Sequence, residues 1–292
     1  MLNYILYKLG QFIALHFPLK IAYKLASFFS DLHYLVADKD RIAVRENLKV
    51  IFPEKSESEI RKIRLMMFRN FAKYLVDFFR FSKLDIEYIR KNIRLENLHY
   101  LDEALAKGKG VVILTAHIGN WELGGVVVAL LGYPFWVVAL PHKYKSVNDF
   151  FNFQRELKGV KVIPLGRAVR QCLNVLKDNG VIALAGDRDF TEKGVVLDFF
   201  GKPTFLPEGP AAFSLKTGSS IVPGFMLRDQ DDKFTLRMEK PIELNPSYIE
   251  VFYNSNKNER LKEIITQYNV IIEDYIRKYP EQWYMFRRFW IE

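Results

Sequence analysis

Apolar residues follow two different rhythms along this chain, and the change comes near residue 97. Before it, hydrophobic positions recur every three to four residues. Behind Ser56-x-x-Glu59, a capping-box pattern, Ile60, Ile63, Met67, Phe71, Tyr74, Leu75, Phe78 and Phe79 keep helical spacing. Leu2 to Phe17 and Leu19 to Val36 are two more helical stretches, parted by Pro18, so residues 1–96 are expected to be helical. After Asn97 the pattern alternates. A helix over Tyr100–Lys107 ends at Gly108, and strands are predicted at Val111–Ala116, Phe135–Leu140, Val160–Pro164, Val181–Ala185, Ser220–Phe225 and Phe234–Glu239. Between them lie helical stretches near Trp121–Leu131, Val147–Leu157, Ala168–Lys177 and Pro210–Lys216, and a long amphipathic helix, Asn258 to Tyr279, stops at Pro280. Such alternation predicts an α/β fold, a mostly parallel mixed sheet flanked by helices. The helical region 1–96 and an α/β core 97–292 are expected to form one compact domain.

Composition sharpens this picture at two points. Hydrophobic residues at 49% and charged ones at 26% describe a globular chain. The single cysteine, Cys172, excludes a disulfide framework and a cysteine-based metal cluster, and reads as core filling in a reducing compartment. The net charge of +9 is uneven: residues 1–100 hold 18 Lys/Arg against 11 Asp/Glu, and Lys8, Lys20 and Lys24 all precede the first acid, Asp31. Basic proteins are aimed at nucleic acid, at anionic lipid or at an acidic carrier. No nucleic-acid signature accompanies the charge, so lipid is favoured.

Leu2 to Phe17 contains Asn3, Lys8, Gln11 and His16, too polar and too short for a membrane span of about 20 apolar residues. No small-residue cleavage site follows it, which argues against a secretory signal. In Leu19–Val36, Lys20, Lys24, Ser27 and Asp31 fall opposite Ile21, Leu25, Phe28 and Phe29. Two readings fit: helices lying in the lipid headgroup layer, or helices packed on their own domain. The basic charge favours the first, with an anionic membrane surface as partner.

The candidate chemistry lies in "TAHIGNWELGG", Thr115 to Gly125. Ligands of parallel α/β sheets bind outside the carboxyl ends of strands, where His117 is expected. Gly119 permits a sharp turn, and Asn120 suits an N-cap, which puts Glu122 in the first turn of a helix. From there Glu122 is expected to reach back to one imidazole nitrogen, leaving the other to accept a proton. Such a base activates a hydroxyl for attack on a carbonyl. The alternative is a packed turn with no chemistry. His33 and Asp38 share the spacing, but on a helix residues five apart do not share a face, so spacing alone decides nothing. No G-x-S-x-G, H-E-x-x-H, G-x-G-x-x-G or P-loop pattern competes.

"AHIGNWELGG" resembles the H-x4-[D/E] block of the bacterial lipid A biosynthesis acyltransferases, a family that includes lauroyl and myristoyl transferases and phosphatidylinositol mannoside acyltransferases. "RENLKVIFPEKS" (45–56), "PLGRAV" (164–169), "AGDRDFTEKGVVLDFFGKPTFLPEGPAAFSLKTGSSIVP" (185–223) and "YPEQWYMFRRFW" (279–290) agree in order, covering the chain from about Arg41 onward. The resemblance implies a glycerophosphate-acyltransferase-like fold at the cytoplasmic face of a bacterial inner membrane. It implies transfer of a fatty acyl chain from an acyl carrier protein or coenzyme A thioester to a lipid hydroxyl, with His117 as base and Glu122 as its partner. No metal or redox cofactor is expected; the thioester is a co-substrate.

Other charged residues are weighed the same way. Asp187, Arg188 and Asp189 follow the strand Val181–Ala185, and Arg167 follows Val160–Pro164, so these are candidates to bind a phosphate or sugar, or else solvated turn charges. Asn120 is also expected on the substrate side. Glu208 in "LPEGP" is similar to the glutamate of the F-P-E-G block of glycerophosphate acyltransferases and is otherwise a helix-capping charge. Asp198 in "LDFFG" resembles the mannoside acyltransferases, which leaves the acceptor open between lipid A precursors and mannosides. The aromatic end Trp283–Trp290, with Arg287 and Arg288, closes over an acyl groove, touches a membrane or packs as a last element. A glycerophosphate-type acyltransferase and a non-catalytic scaffold are the rival functions.

Overall fold

The computed structural model describes residues 2–189, 194–242, 244 and 257–291. The helical region begins with α1 (Leu2–His16) and α2 (Leu19–Val36), broken at Pro18, which is held at ψ 141° and cannot continue a helix. α3 (Asp38–Ile51) follows, then α4 (Glu57–Phe79). α4 carries the expected capping box: the Ser56 hydroxyl accepts from the Glu59 amide, and the Glu59 carboxylate accepts from the Ser56 amide at 2.9 Å. Its apolar stripe, including Ile60, Met67, Phe68, Tyr74, Phe78 and Phe79, is buried. α5 (Ile86–Asn92) leads into β1 (Ile93–Glu96), a short strand inside the region expected to be wholly helical.

From there the chain alternates through α6 (His99–Ala106), β2 (Val111–Thr115), α7 (Trp121–Leu130), β3 (Phe135–Ala139), α8 (Lys145–Glu156), β4 (Lys161–Pro164), α9 (Ala168–Lys177) and β5 (Val181–Ala185). A hairpin, β6 (Val195–Phe199) and β7 (Lys202–Leu206), precedes α10 (Gly209–Thr217), β8 (Ser220–Arg228), β9 (Phe234–Met238) and α11 (Lys257–Lys278). Seven strands form one sheet in the order β1-β9-β8-β2-β5-β3-β4. Its pairs are parallel except β8 with β9, so the mixed, mainly parallel sheet flanked by helices is as expected. Among the described residues β6 and β7 pair with each other alone, antiparallel.

Helices cover both faces of this sheet, which explains why its strands read as continuous apolar runs. Val112 and Leu114 of β2 face a core shared with α3, α4, α9, α10 and α11; Val111 and Ile113 face a second core built from α4, α7 and α8. Cys172 is fully buried in the first, and burial pushes its thiol up to about 11, as befits core filling. The carboxyl ends of β2, β5 and β8 meet at one rim. Gly119 turns the chain there at φ 62°, and a Cβ on it would lie 2.0 Å from the Met226 carbonyl oxygen, so only glycine fits between this loop and β8.

Candidate active site

The strand register builds the site. β2 and β5 are parallel neighbours with Val111 opposite Val181 and Thr115 opposite Ala185. Two residues beyond that last pair, on each chain, stand His117 and Asp187. His117 Nδ1 lies 2.9 Å from Asp187 Oδ1, and the His117 amide donates to Asp187 Oδ2 at 3.0 Å. The Trp283 indole N–H donates to the same Oδ2 at 3.0 Å. Asp187 is fully buried, while the His117 side chain keeps 17% of its surface. Burial works to raise the Asp187 carboxyl, but His117 and the Trp283 hydrogen bond outweigh it and hold it below the usual carboxylate range. An ionised carboxylate only accepts, so Nδ1 carries the proton and Nε2 is the basic nitrogen of the neutral ring.

Glu122 corrects the expectation drawn from spacing. It does not brace the imidazole. Arg155 on α8 takes it as a fork, with Nε at 3.1 and 2.9 Å from its two oxygens and Nη2 at 2.5 Å. Both side chains are about nine-tenths buried, at 11% and 10% exposure. The reason is orientation: after the Gly119 turn, Asn120 caps α7 by accepting from the Leu123 amide at 3.1 Å, which sets the first turn of α7 against α8. A buried guanidinium there needs an anion, and Glu122 supplies it. His117 instead has Trp121 against its ring, with centroids 5.1 Å apart.

The other expected site residues are dispersed. Asn120 is not on a substrate surface: it is 1% exposed, and its Nδ2 donates to Asp77 at 3.0 Å. Asp187, expected to meet substrate, is sealed behind the histidine. Arg167 is exposed at the end of β4, three strands from β2, or about 14 Å at the usual strand spacing. Arg188 sits beside Asp187, half-buried; burial and the neighbouring Arg287 lower its guanidinium to about 10. Asp198 is exposed on the β6 hairpin, away from the seven-stranded sheet, and Glu208 precedes α10 without capping it through its side chain. The Asp189 side chain accepts from the Gly194 amide at 2.7 Å. His33, the control for spacing, is exposed near the end of α2, and Asp38 pairs with Arg41.

The aromatic C-terminus resolves as packing. Ile118 and Trp283 form an antiparallel bridge, Gly119 donates to the Gln282 carbonyl and Tyr284 donates to the His117 carbonyl, both at 2.9 Å. Trp283, fully buried, was missed by sequence reasoning as a partner of the site, as were Arg155 and the pairing of Asp187 with His117. The parallel register of β2 and β5 was the signal that could have found the pairing.

The profile of the family described as bacterial lipid A biosynthesis acyltransferase matches residues 1–292. The chain belongs to that family. Among individual relatives, it is 33% identical over 160 residues to the phosphatidylinositol mannoside acyltransferase of Mycobacterium tuberculosis and 34% identical over 158 residues to that of Mycolicibacterium smegmatis. These alignments cover 53% of this chain and 51% and 52% of those proteins, so the chain spans about half the length of the mannoside acyltransferases it matches. The lipid A biosynthesis palmitoleoyltransferase of Escherichia coli is 25% identical over 249 residues, 84% of this chain and 77% of that protein.

The depressed Asp187 carboxyl has a consequence for acid stability. A carboxylate lowered by folding stabilises the native state above its unfolded pKa, and that contribution is lost as pH falls through the folded value. Denaturation midpoints of wild type and Asp187→Asn should therefore converge as pH falls from about 5 through the unfolded aspartate value of about 3.9 and on through the lower folded value. A gap that stays constant over that range would mean the carboxylate gains nothing from its donors.

Proposed function

We propose that this protein transfers a fatty acyl chain from an acyl carrier protein or coenzyme A thioester to a hydroxyl of a phosphoglycolipid at a membrane surface. The observation that carries the reading is the sealed Asp187 carboxylate on His117 Nδ1. Nε2 takes the proton of the acceptor hydroxyl as its oxygen attacks the thioester carbonyl, and Asp187 stabilises the imidazolium that forms. The tetrahedral oxyanion collapses with cleavage of the C–S bond, and the imidazolium returns its proton to the departing thiolate. Acyl transfer then needs no nucleophilic serine or cysteine on the enzyme. Family membership supports the acyl chemistry, and the names of the relatives support either a lipid A precursor or a phosphatidylinositol mannoside as acceptor. Arg188, next to the dyad, is the cation assigned to an acceptor phosphate near the reacting hydroxyl; Arg167 stands three strands away from β2.

Membrane contact is assigned to α1 and α2. Ile5, Leu9 and Phe12 on one helix, and Ile21, Phe28, Leu32 and Leu35 on the other, are each between 44% and 67% exposed, with Lys8, Lys20 and Lys24 also exposed. An apolar surface of this kind, flanked by lysines, suits a headgroup layer. Among the described residues no helix is long and apolar enough to cross a membrane. Removing residues 1–36 would be a poor test, because Ala22, Tyr23 and Tyr34 belong to the core.

Two outcomes are expected. Incubated with an acyl thioester and each candidate glycolipid, the full chain yields an acylated product by mass spectrometry, His117→Ala loses about 10²–10⁴ in rate, and His33→Ala stays active. Turnover by folded His117→Ala at the wild-type rate would remove the histidine from the chemistry. In flotation with anionic vesicles, a Leu9→Glu/Phe28→Glu variant should bind less, and salt should weaken wild-type binding through screening. If neither change reduces flotation, α1 and α2 are not the membrane face.

A further inference from the structure

A second set of buried polar groups lies behind the dyad. Asp77 of α4 is 6% exposed and accepts hydrogen bonds from three elements: the Tyr23 hydroxyl of α2, Asn120 Nδ2 before α7, and Arg228 Nη2 at the end of β8. The Arg228 side chain is 5% exposed and lies over the rings of Tyr23 and Phe234, 5.0 and 4.7 Å from their centroids. A buried ion pair of this kind does little for net stability compared with apolar packing, so its geometry asks for another reason.

The reason is at the Arg228 main chain. Its amide donates to Gln282 Oε1 and its carbonyl accepts from Gln282 Nε2, both at 2.9 Å. The carboxamide thus copies a ladder pairing and fastens the segment Gln282–Tyr284 to the end of β8. That segment touches both members of the dyad. Gln282's carbonyl takes the Gly119 amide, Tyr284's amide reaches the His117 carbonyl, and the Trp283 indole holds Asp187 Oδ2. Asn70 Nδ2 on α4 adds a bond to the Glu281 carbonyl at 3.0 Å, and Asn47 Nδ2 on α3 bonds the carbonyls of Met285 and Arg287 at 3.1 and 2.8 Å.

We propose that Gln282 is a positioning residue for the His117–Asp187 pair, anchored through Arg228 by the buried carboxylate of Asp77. Arg228 fixes where β8 ends, Gln282 fixes the C-terminal segment to that end, and the segment sets the spacing of imidazole and carboxylate. Neither Gln282 nor Arg228 touches substrate in this scheme. Errors of about 1 Å in such an arrangement cost on the order of 10²-fold in rate. This inference rests on the proposed role of the dyad for its kinetic consequence, while its geometric content stands apart from it.

Gln282→Met in the full chain is the test, because it keeps the volume and removes both hydrogen bonds to Arg228. Two quantities are measured. One is steady-state kinetics with an acyl thioester and a phosphoglycolipid. The other is the low-field proton resonance of the His117 Nδ1–Asp187 hydrogen bond, identified by its absence from Asp187→Asn. The expected result is a kcat at least tenfold lower with KM changed less than twofold, and a resonance that is lost or broadened in a protein still folded at the assay temperature, its melting temperature lowered because the buried Arg228 amide and carbonyl lose their partner. Gln282→Asn keeps the carboxamide but shortens its reach by one methylene, so that it cannot meet both main-chain groups of Arg228 in the same way, and its kcat and resonance should fall between the two; it also decides the matter if the methionine variant does not fold. An unchanged resonance in a folded variant overturns the proposal, whatever the rate does. If the wild type transfers no acyl group at all, the functional reading fails, and the resonance still decides the positioning role.

Discussion

A carboxylate with no exposure to water must be met by donors, and meeting Asp187 organises this rim of the protein. Its two oxygens take the His117 ring, the His117 amide and the Trp283 indole. Each donor constrains a different element. The amide and ring require the loop after β2 to stand beside the end of β5, which parallel pairing of those strands provides. The indole requires the C-terminal segment to cross the same rim, which explains why the last aromatic residues pack inward. Gly119 is needed because the loop passes so close to the Met226 carbonyl of β8 that no Cβ fits between them.

Two buried ion pairs flank this arrangement, and they divide the labour. Glu122–Arg155 joins the start of α7 to α8, and Asp77–Arg228 joins α4 to the end of β8. Neither includes the imidazole. Asn120 links them physically, capping α7 through its oxygen and donating to Asp77 through its nitrogen. The loop carrying His117 is thus held on both sides by groups that keep their charges out of water, and the dyad needs no part of that burden. α2 enters the same lattice through Tyr23, so a helix assigned to the membrane face is tied to the rim where the proposed chemistry occurs.

Much of the fold was legible because its signals are local. The capping box at Ser56 and the stripe behind it give α4, and continuous apolar runs give β2, β3, β5 and β8. β1 escaped because four residues, half of them the charged Arg94 and Glu96, make no strand pattern, and it is their parallel pairing with β9 that sustains them. The hairpin of β6 and β7 escaped because Asp198, Lys202 and Pro203 interrupt it and it stands outside the main sheet. At the site, His117 was legible as a polar residue at a strand end. Its partner was not, because sequence spacing offers Glu122 first, whereas the acid that bonds the ring comes from the neighbouring strand. Choosing between them required the strand order, a property of long-range pairing that no five-residue motif carries.

The central claim is that Asp187, and not Glu122, serves the His117 imidazole. Its direct measure is kcat/KM for acyl transfer by Asp187→Asn and Glu122→Gln, each paired with its melting temperature. Asp187→Asn should lose about 10²–10⁴ in kcat/KM while remaining folded, since an amide leaves the imidazolium unsupported. Glu122→Gln should stay within tenfold of wild type in rate and lose about 1–3 kcal/mol of stability, because Arg155 is left buried with a weaker partner. The reverse pattern, a rate collapse in Glu122→Gln with Asp187→Asn still active, would contradict it.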